Sequence, residues 1–243
     1  MATIDLAMVT FRYEDMQMRF DLHVGSGELL ALIGPSGAGK STLLSLIAGF
    51  ERAESGAIRI DGADVTRVHP AARPVTMLFQ DHNLFAHLDV AANIGLGVHP
   101  GLRLTADDRA KVDWSLAQVG LEGFNRRLPA QLSGGERQRV ALARSLVRNR
   151  PVLLLDEPFA ALGPALRREM LDLVRALQQS QNLTVLLVSH QPEDALYAAP
   201  RTAFVHEGHI LQVADTRSLF DGAAVPELRA YLGETWVNGR RPA

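Results

Sequence analysis

The sequence contains no cysteine, which excludes a disulfide framework, thiolate catalysis and any metal site with cysteine ligands. It also has no apolar run near the ~18 residues that a membrane-spanning helix requires. The first 20 residues lack the basic-then-apolar order of a secretion signal. From these absences we expect a soluble protein of a reducing, intracellular compartment.

A strong charge of either sign is absent as well. The 25 lysine and arginine residues face 27 aspartate and glutamate residues, which gives a formal net charge of -2. We therefore expect no nucleic acid partner. Hydrophobic residues make up 47% and charged residues 21% of the 243 residues, which excludes a disordered or fibrous chain. Lysine is rare, because Lys40 and Lys111 are the only ones.

The order of the predicted elements indicates a single α/β domain spanning residues 1–243. The catalytic core comprises about residues 1–86 and 150–243, and a helical subdomain of about residues 87–149 is inserted between the two parts. Alternating and continuous apolar runs predict strands at residues 4–11, 18–24, 29–33, 57–60, 75–79, 152–156 and 183–188, and a hairpin at 203–213. Helical spacing and start signals predict helices at 40–48, from 105 onward, and at 135–148, 164–179 and 192–198.

A phosphate-binding loop lies between the strand at 29–33 and the helix at 40–48. Glycines are needed there because backbone N–H groups must converge on phosphate oxygens, and the following helix points its positive end at the same anion. We expect Lys40 to reach the terminal phosphates and Ser41 to ligate Mg²⁺. A glycine-rich turn that matches by accident is the alternative. The predicted nucleotide contacts are Gly34, Pro35, Ser36, Gly37, Ala38, Gly39, Lys40, Ser41 and Thr42.

Two acidic residues end the apolar strand at 152–156. Ligands of parallel sheets bind beyond the carboxyl ends of the strands, so Asp156 would lie beside the phosphates and hold Mg²⁺. Glu157, one residue further, would then polarise the attacking water as general base. Taken alone, a strand that ends in a solvated carboxylate explains the pair equally well. Together with the phosphate loop, the acids indicate nucleotide hydrolysis.

The segment Leu132–Glu136 resembles the signature of the ATP-binding cassette (ABC) ATPases, although the family usually has glutamine where this chain has Glu136. On its own, the segment is also a good helix cap. The resemblance implies a RecA-like P-loop NTPase core with an N-terminal antiparallel β-subdomain and an inserted α-helical signature subdomain. It also implies a head-to-tail homodimer in which the signature of one subunit covers the ATP bound by the other. The signature contacts would be Ser133, Gly134, Gly135 and Glu136.

Other positions take their roles from the same resemblance. Gln80 resembles the glutamine that contacts Mg²⁺ and the attacking water, and His190 resembles the histidine that touches the γ-phosphate. Tyr13 lies where the family stacks an aromatic ring on adenine, although a tyrosine at a strand end is often only packing. Gly163 departs from the pattern, because the family usually has an aspartate there that helps to arrange the dimer interface.

A narrower resemblance is to the ATPase subunits of bacterial importers of thiamine and thiamine pyrophosphate. It is carried by residues 18–20, 73–80, 83–85, 93–97 and 100–102, none of which would touch cargo. The resemblance implies a peripheral subunit at the cytoplasmic face of the inner membrane. Its partners would be integral membrane permease subunits and a periplasmic solute-binding protein.

Several alternatives stay open at this point. The cargo could be another small solute or ion, and the direction could be export. A transporter-independent ATPase acting on ribosomes or DNA is a different class, and an inactive nucleotide-binding scaffold is a third. Leu84 and Phe85 would line a groove for a helix of the membrane partner, or they would pack inside the helical subdomain.

Overall fold

The centre of the fold is a parallel sheet whose strands are mostly apolar and buried. In the computed structural model, which describes residues 2–79, 84–222 and 225–233, β3 and β8 are buried at every residue. Such burial is expected of parallel strands covered on both faces. The strands, in their order across the sheet, are β9 (Arg201–His206), β3 (Leu29–Ile33), β8 (Thr184–Val188), β7 (Val152–Asp156) and β6 (Val75–Leu78).

Antiparallel strands extend this sheet to ten in total, in the order β5-β4-β1-β2-β10-β9-β3-β8-β7-β6. The predicted hairpin turns at Glu207 and Gly208 and joins β9 to β10. A single parallel pairing, His209 with Arg19, links β10 to β2. The added strands are β1 (Ile4–Tyr13), β2 (Met16–Val24), β4 (Ser55–Ile60), β5 (Ala63–Asp64) and β10 (His209–Asp215).

Helices cover both faces of the sheet, and three of them lie between β6 and β7 as the predicted insertion. α3 begins with the predicted capping box, in which Thr105 and Asp108 each accept a backbone N–H of the other. Among the described residues, no helix is both long and apolar enough to cross a membrane. The helices are α1 (Lys40–Ala48), α2 (Val90–Gly95), α3 (Ala106–Gln118), α4 (Gly134–Leu146), α5 (Pro164–Gln181), α6 (Pro192–Ala198), α7 (Thr216–Asp221) and α8 (Pro226–Leu232).

The sheet separates two hydrophobic cores, and alternate residues of β3 belong to each. Leu29, Ala31 and Ile33 face the core shared with α4, α5 and α8. Leu30 and Leu32 face the core shared with α1 and the antiparallel strands. Because β3 is fixed from both faces, the loop that leaves its carboxyl end starts from a rigid position.

A buried arginine fixes the far end of α1. The Arg73 guanidinium donates to the carbonyl oxygens of Leu46 at 2.7 Å and Ile47 at 2.8 Å, in the last turn of the helix. A cation at this end complements the helix dipole. Burial lowers the pKa of Arg73, and two further carbonyls, of Thr66 and Val68, accept its other N–H groups. With its C-terminal end held, α1 presents its N-terminal end, which carries Lys40, in one orientation.

Candidate active site

The phosphate loop joins β3 to α1 in a conformation that requires glycine. Gly34 has a φ of 148°, and a Cβ there would lie 2.0 Å from the Val205 carbonyl oxygen. Gly39, the N-cap of α1, has a φ of 100°. Side chains are excluded at both positions, so the loop can lie close to the hairpin, whose Gly208 N–H donates to the Ala38 carbonyl oxygen at 2.9 Å.

Lys40 lies at the start of α1 with only 4% of its surface exposed. Its ammonium donates to the carbonyl oxygens of Gly34 at 2.8 Å and Pro35 at 2.7 Å. Burial lowers the pKa of Lys40, while the nearby carboxylates of Glu157 and Asp156 raise it. Lys40 is thus held inside the phosphate loop, where it is predicted to contact the terminal phosphates. Two acidic side chains lie close enough to favour its charge.

A hydroxyl and a carboxylate meet beside the loop. Ser41 Oγ donates to Asp156 Oδ1 at 2.9 Å, which joins α1 to the carboxyl end of β7. Burial raises the pKa of Asp156, against the lowering effects of Ser41, Lys40 and His190. Oxygen donors of this kind fit Mg²⁺, which usually keeps several waters and binds substrate phosphates rather than a full protein cage. In the part of the chain that the structure describes, no three histidine, cysteine, aspartate or glutamate side chains lie together in a group that could hold a metal ion.

Glu157 and His190 follow adjacent strands and contact each other. The register of β7 on β8 pairs Asp156 with Val188, so the residues after these two strands leave the sheet side by side. Glu157 has a positive φ of 48°, and its Oε2 meets His190 Nε2. A non-glycine residue in this backbone region is uncommon and often marks a functional site. The sequence predicted both residues, and the structure brings them together.

A cavity of about 230 Å³ unites these parts. Tyr13 at the end of β1 lies on its wall with 57% of its surface exposed, so the ring is accessible to an adenine, and stacking on it stays a prediction. Gln80, also predicted for the site, lies outside the described residues. The lining residues are Tyr13, Met16, Met18, Ser36, Gly37, Ala38, Gly39, Lys40, Ser41, Thr42, Glu157 and His190.

The signature segment forms a separate structure at the start of α4. Ser133 Oγ accepts the Glu136 N–H at 3.3 Å, and Glu136 Oε2 accepts the Ser133 N–H at 2.7 Å. The bond from the Ser133 backbone is the main cause of the lowered pKa of Glu136. The helix-cap interpretation is therefore confirmed, and Glu136 supports it in place of glutamine. Neither Gly134 nor its neighbours line the cavity at the phosphate loop.

Two buried side chains hold the loop after Glu157, and no pattern in the sequence indicated this role for either. Gln138 of α4 donates to the Pro158 carbonyl oxygen at 2.9 Å. Arg167 of α5 donates to the carbonyl oxygens of Phe159, Ala160 and Leu162 at 3.0–3.3 Å. These bonds hold the loop after Glu157 in place of the backbone hydrogen bonds that a helix or strand would supply.

The sequence matches a known protein family and named relatives. The family model of the ABC transporters matches residues 18–160. The chain is 55% identical to a "Thiamine import ATP-binding protein ThiQ" of Chelativorans sp. strain BNC1, over 96% of this chain and 95% of the relative. It is 53% identical to a protein of the same name from Photorhabdus laumondii, over 95% of this chain and 97% of the relative.

Solved structures agree with this result. A cassette of an ABC transporter in its ADP conformation superposes with a TM-score of 0.87 at 22% identity, over 96% of this chain and all of the other. At this identity the likeness shows the fold alone. A cassette described as a dimeric bacterial ABC transporter cassette superposes with a TM-score of 0.74 at 28% identity, over 88% of this chain and 99% of the other. With the family model covering more than half of its length and relatives above 50% identity along nearly all of it, the chain belongs to the ABC transporter family.

Proposed function

We propose that the chain is the Mg²⁺-dependent, ATP-hydrolysing subunit of a bacterial importer of thiamine. The observation that carries the hydrolytic part is the convergence of Lys40, Ser41 and the Glu157–His190 pair on one cavity, with Asp156 bonded to Ser41 beside it. The cargo rests on relatives named for thiamine import that match nearly the whole chain.

Each residue of the cavity has a role that its position supports. The loop N–H groups and the start of α1 bind the phosphates, and Lys40 adds a compact charge. Ser41 and Asp156 would hold Mg²⁺, which when bound neutralises charge on the phosphate oxygens. Glu157 takes the proton of the attacking water, and His190 orients Glu157 and the γ-phosphate. Tyr13 offers its exposed ring to the adenine.

A head-to-tail homodimer completes the site in this proposal. Ser133 and the two glycines that follow it form a second anion-binding helix start, and they lie outside the cavity of their own chain. A two-fold axis that brings the start of α4 of one copy over the phosphate loop of the other would give each ATP both devices. Closure of the dimer on ATP and its reopening after hydrolysis would drive the membrane partner.

The permease would bind a groove beside the edge strand β6. The groove has a volume of about 530 Å³, and Phe50 and Phe79 lie in it with ring centroids 5.7 Å apart. Both rings are exposed, and Phe79 directly precedes the loop that the family resemblance assigns to partner contact. Leu84, on the other side of that loop, packs against the helical core, while Phe85 is exposed. The permease, with a periplasmic solute-binding protein, would place this chain at the cytoplasmic face of the inner membrane.

Reconstitution of the complex tests the cargo. The chain, its co-purified membrane partner and the solute-binding protein are placed in liposomes, and phosphate release is measured with and without thiamine. We expect thiamine to stimulate ATP turnover, and riboflavin serves as the unrelated control vitamin. Stimulation by another solute alone would contradict the thiamine assignment. No Mg²⁺-dependent turnover in the complex would contradict the ATPase assignment.

Gly163→Asp is expected to raise both stability and cooperativity. Gly163 is the N-cap of α5 with an ordinary φ of -64° and no side-chain cap bond, and a Cβ there would touch nothing within 4 Å. An aspartate can therefore accept a free N–H of the first turn, and we expect the free energy of unfolding to rise by a few tenths to about 1 kcal/mol. Urea denaturation measures this change.

The same variant restores the side chain that the family usually places at the dimer interface, so the Hill coefficient of ATP hydrolysis should rise. Gly163→Ser is the matched control, since it supplies a cap without the carboxylate. A Hill coefficient that stays unchanged in Gly163→Asp would contradict the role of this position in coupling the two sites.

A further inference from the structure

The last described helix reaches the active site through one side chain. α8 is anchored by Leu228 and Leu232, which are buried in the core on the helical face of the sheet. Tyr231 packs its ring against Phe204 of β9 at a centroid distance of 5.7 Å. Its hydroxyl lies beyond this apolar contact and meets the backbone at the carboxyl ends of the parallel strands.

The hydroxyl has a defined partner there. Tyr231 Oη donates to the carbonyl oxygen of His190 at 3.1 Å. Burial is the main cause of a raised pKa of Tyr231, so the phenol stays a neutral donor. The backbone N–H of Gly34, the first residue of the phosphate loop, is near enough to lower this pKa, although only the bond to His190 meets hydrogen-bond geometry.

Hydrogen bonds hold the loop that carries His190 on both sides of the histidine. Ser189 is fixed on one side, because its N–H donates to the Leu32 carbonyl oxygen at 3.3 Å and its hydroxyl to Asp194 at 2.6 Å. The His190 side chain is half-exposed and has Glu157 as its described partner. The peptide that follows the His190 Cα is held from two sides: its N–H, which belongs to Gln191, donates to Ser189 Oγ at 3.1 Å, and its carbonyl oxygen accepts from Tyr231 Oη. Tyr231 therefore supplies one of the two bonds that set the direction in which the imidazole leaves the backbone.

We propose that Tyr231 is a positioning residue for hydrolysis, which holds the His190 backbone so that the imidazole faces Glu157 and the γ-phosphate. This inference rests on the proposed ATPase function. It makes α8 part of the hydrolytic site, although the helix contributes no group that touches the nucleotide. A helix that only covers the core would need Leu228 and Leu232 but not the tyrosine hydroxyl.

Tyr231→Phe separates these two roles, because it removes one oxygen and keeps the ring contact with Phe204. We expect kcat to fall roughly 3- to 10-fold, the effect of one net hydrogen bond, while the KM for ATP and the thermal midpoint stay near those of the wild type. Tyr197→Phe is the matched control. Its hydroxyl bonds to Asp172 on α5 outside the cavity, so its loss should leave kcat unchanged.

A second measurement reads the position of His190 directly. The imidazole signals of His190, assigned in nitrogen-15 spectra with a His190→Ala variant, should shift or broaden in Tyr231→Phe and stay unchanged in Tyr197→Phe. If the wild type hydrolyses ATP but Tyr231→Phe keeps both its kcat and its His190 signals, the positioning role is wrong. If the wild type does not hydrolyse ATP while the signals move, the positioning is right and the proposed function is wrong.

Discussion

Glu157→Gln is expected to lower kcat at least about 100-fold while ATP still binds. A general base contributes roughly 10²- to 10⁴-fold to a rate, and the amide cannot accept the proton of the attacking water. The substitution keeps the shape of the side chain and its place beside His190. Lys40, Ser41 and the loop glycines stay in place, so the affinity for ATP should change little.

The expected consequence is a trapped dimer. If hydrolysis reopens the closed dimer, a variant that binds ATP without cleaving it should elute as a dimer in the presence of ATP and as a monomer without it. Size-exclusion chromatography and phosphate release measure the two effects. Glu193→Gln, which removes an exposed carboxylate of α6, is the control for the change in charge. Normal turnover by Glu157→Gln would show that another group accepts the proton.

Much of this site could be predicted from the sequence because its parts are local motifs on strongly patterned elements. The helix at 40–48 and the strand at 152–156 occur at the predicted residues. The carboxyl ends of neighbouring parallel strands meet at one edge, so Lys40, Asp156 and His190 had to converge once the strands were known. The Ser41–Asp156 hydrogen bond follows from this rule.

The rest could not be predicted because it depends on short elements and on contacts between distant residues. α2, α7 and α8 have six or seven residues each, which is less than two turns of helical period, although α6 of the same length was predicted at residues 192–198. Without α8, the contact of Tyr231 with His190 has no signal in the sequence. Arg167 lies in a correctly predicted helix, but its partners are backbone carbonyls, which carry no side-chain pattern.

The helix predicted at 135–148 shows how tertiary context sets a boundary. The predicted helix runs two residues further than the structure, in which α4 ends at Leu146 and Val147 is its C-cap. Asn149 then takes a positive φ of 49°, which turns the chain into β7. Val147 and Asn149 are weak helix formers, and the chain must enter β7, between β8 and β6 of the sheet, within a few residues of the helix end.

Lys40→Met is expected to abolish ATP hydrolysis and to lower the affinity for ATP by roughly 10- to 100-fold. The methionine keeps the apolar stem of a side chain that is almost fully buried and removes its charge. A hydrogen bond to a charged group contributes about 1.5–3 kcal/mol, and here the partners would be the terminal phosphates. The carboxylates of Asp156 and Glu157, which favour the ammonium, would also lose that charge when the anion enters.

Lys111→Met is the matched control for Lys40→Met, because the chain has two lysines. Lys111→Met removes the chain's other lysine, which pairs with Asp108 at 3.1 Å on the surface of α3, and an exposed pair of this kind contributes little. Thermal unfolding with and without ATP measures both variants, because a ligand at 100 times its Kd stabilises the folded state by about 2.7 kcal/mol. Lys111→Met should keep this gain, and Lys40→Met should keep only about 0.4–1.4 kcal/mol of it at the same ATP concentration. Equal gains in the two variants would place the phosphates away from the loop at residues 34–42, and the roles of Ser41 and Asp156 would then be wrong as well.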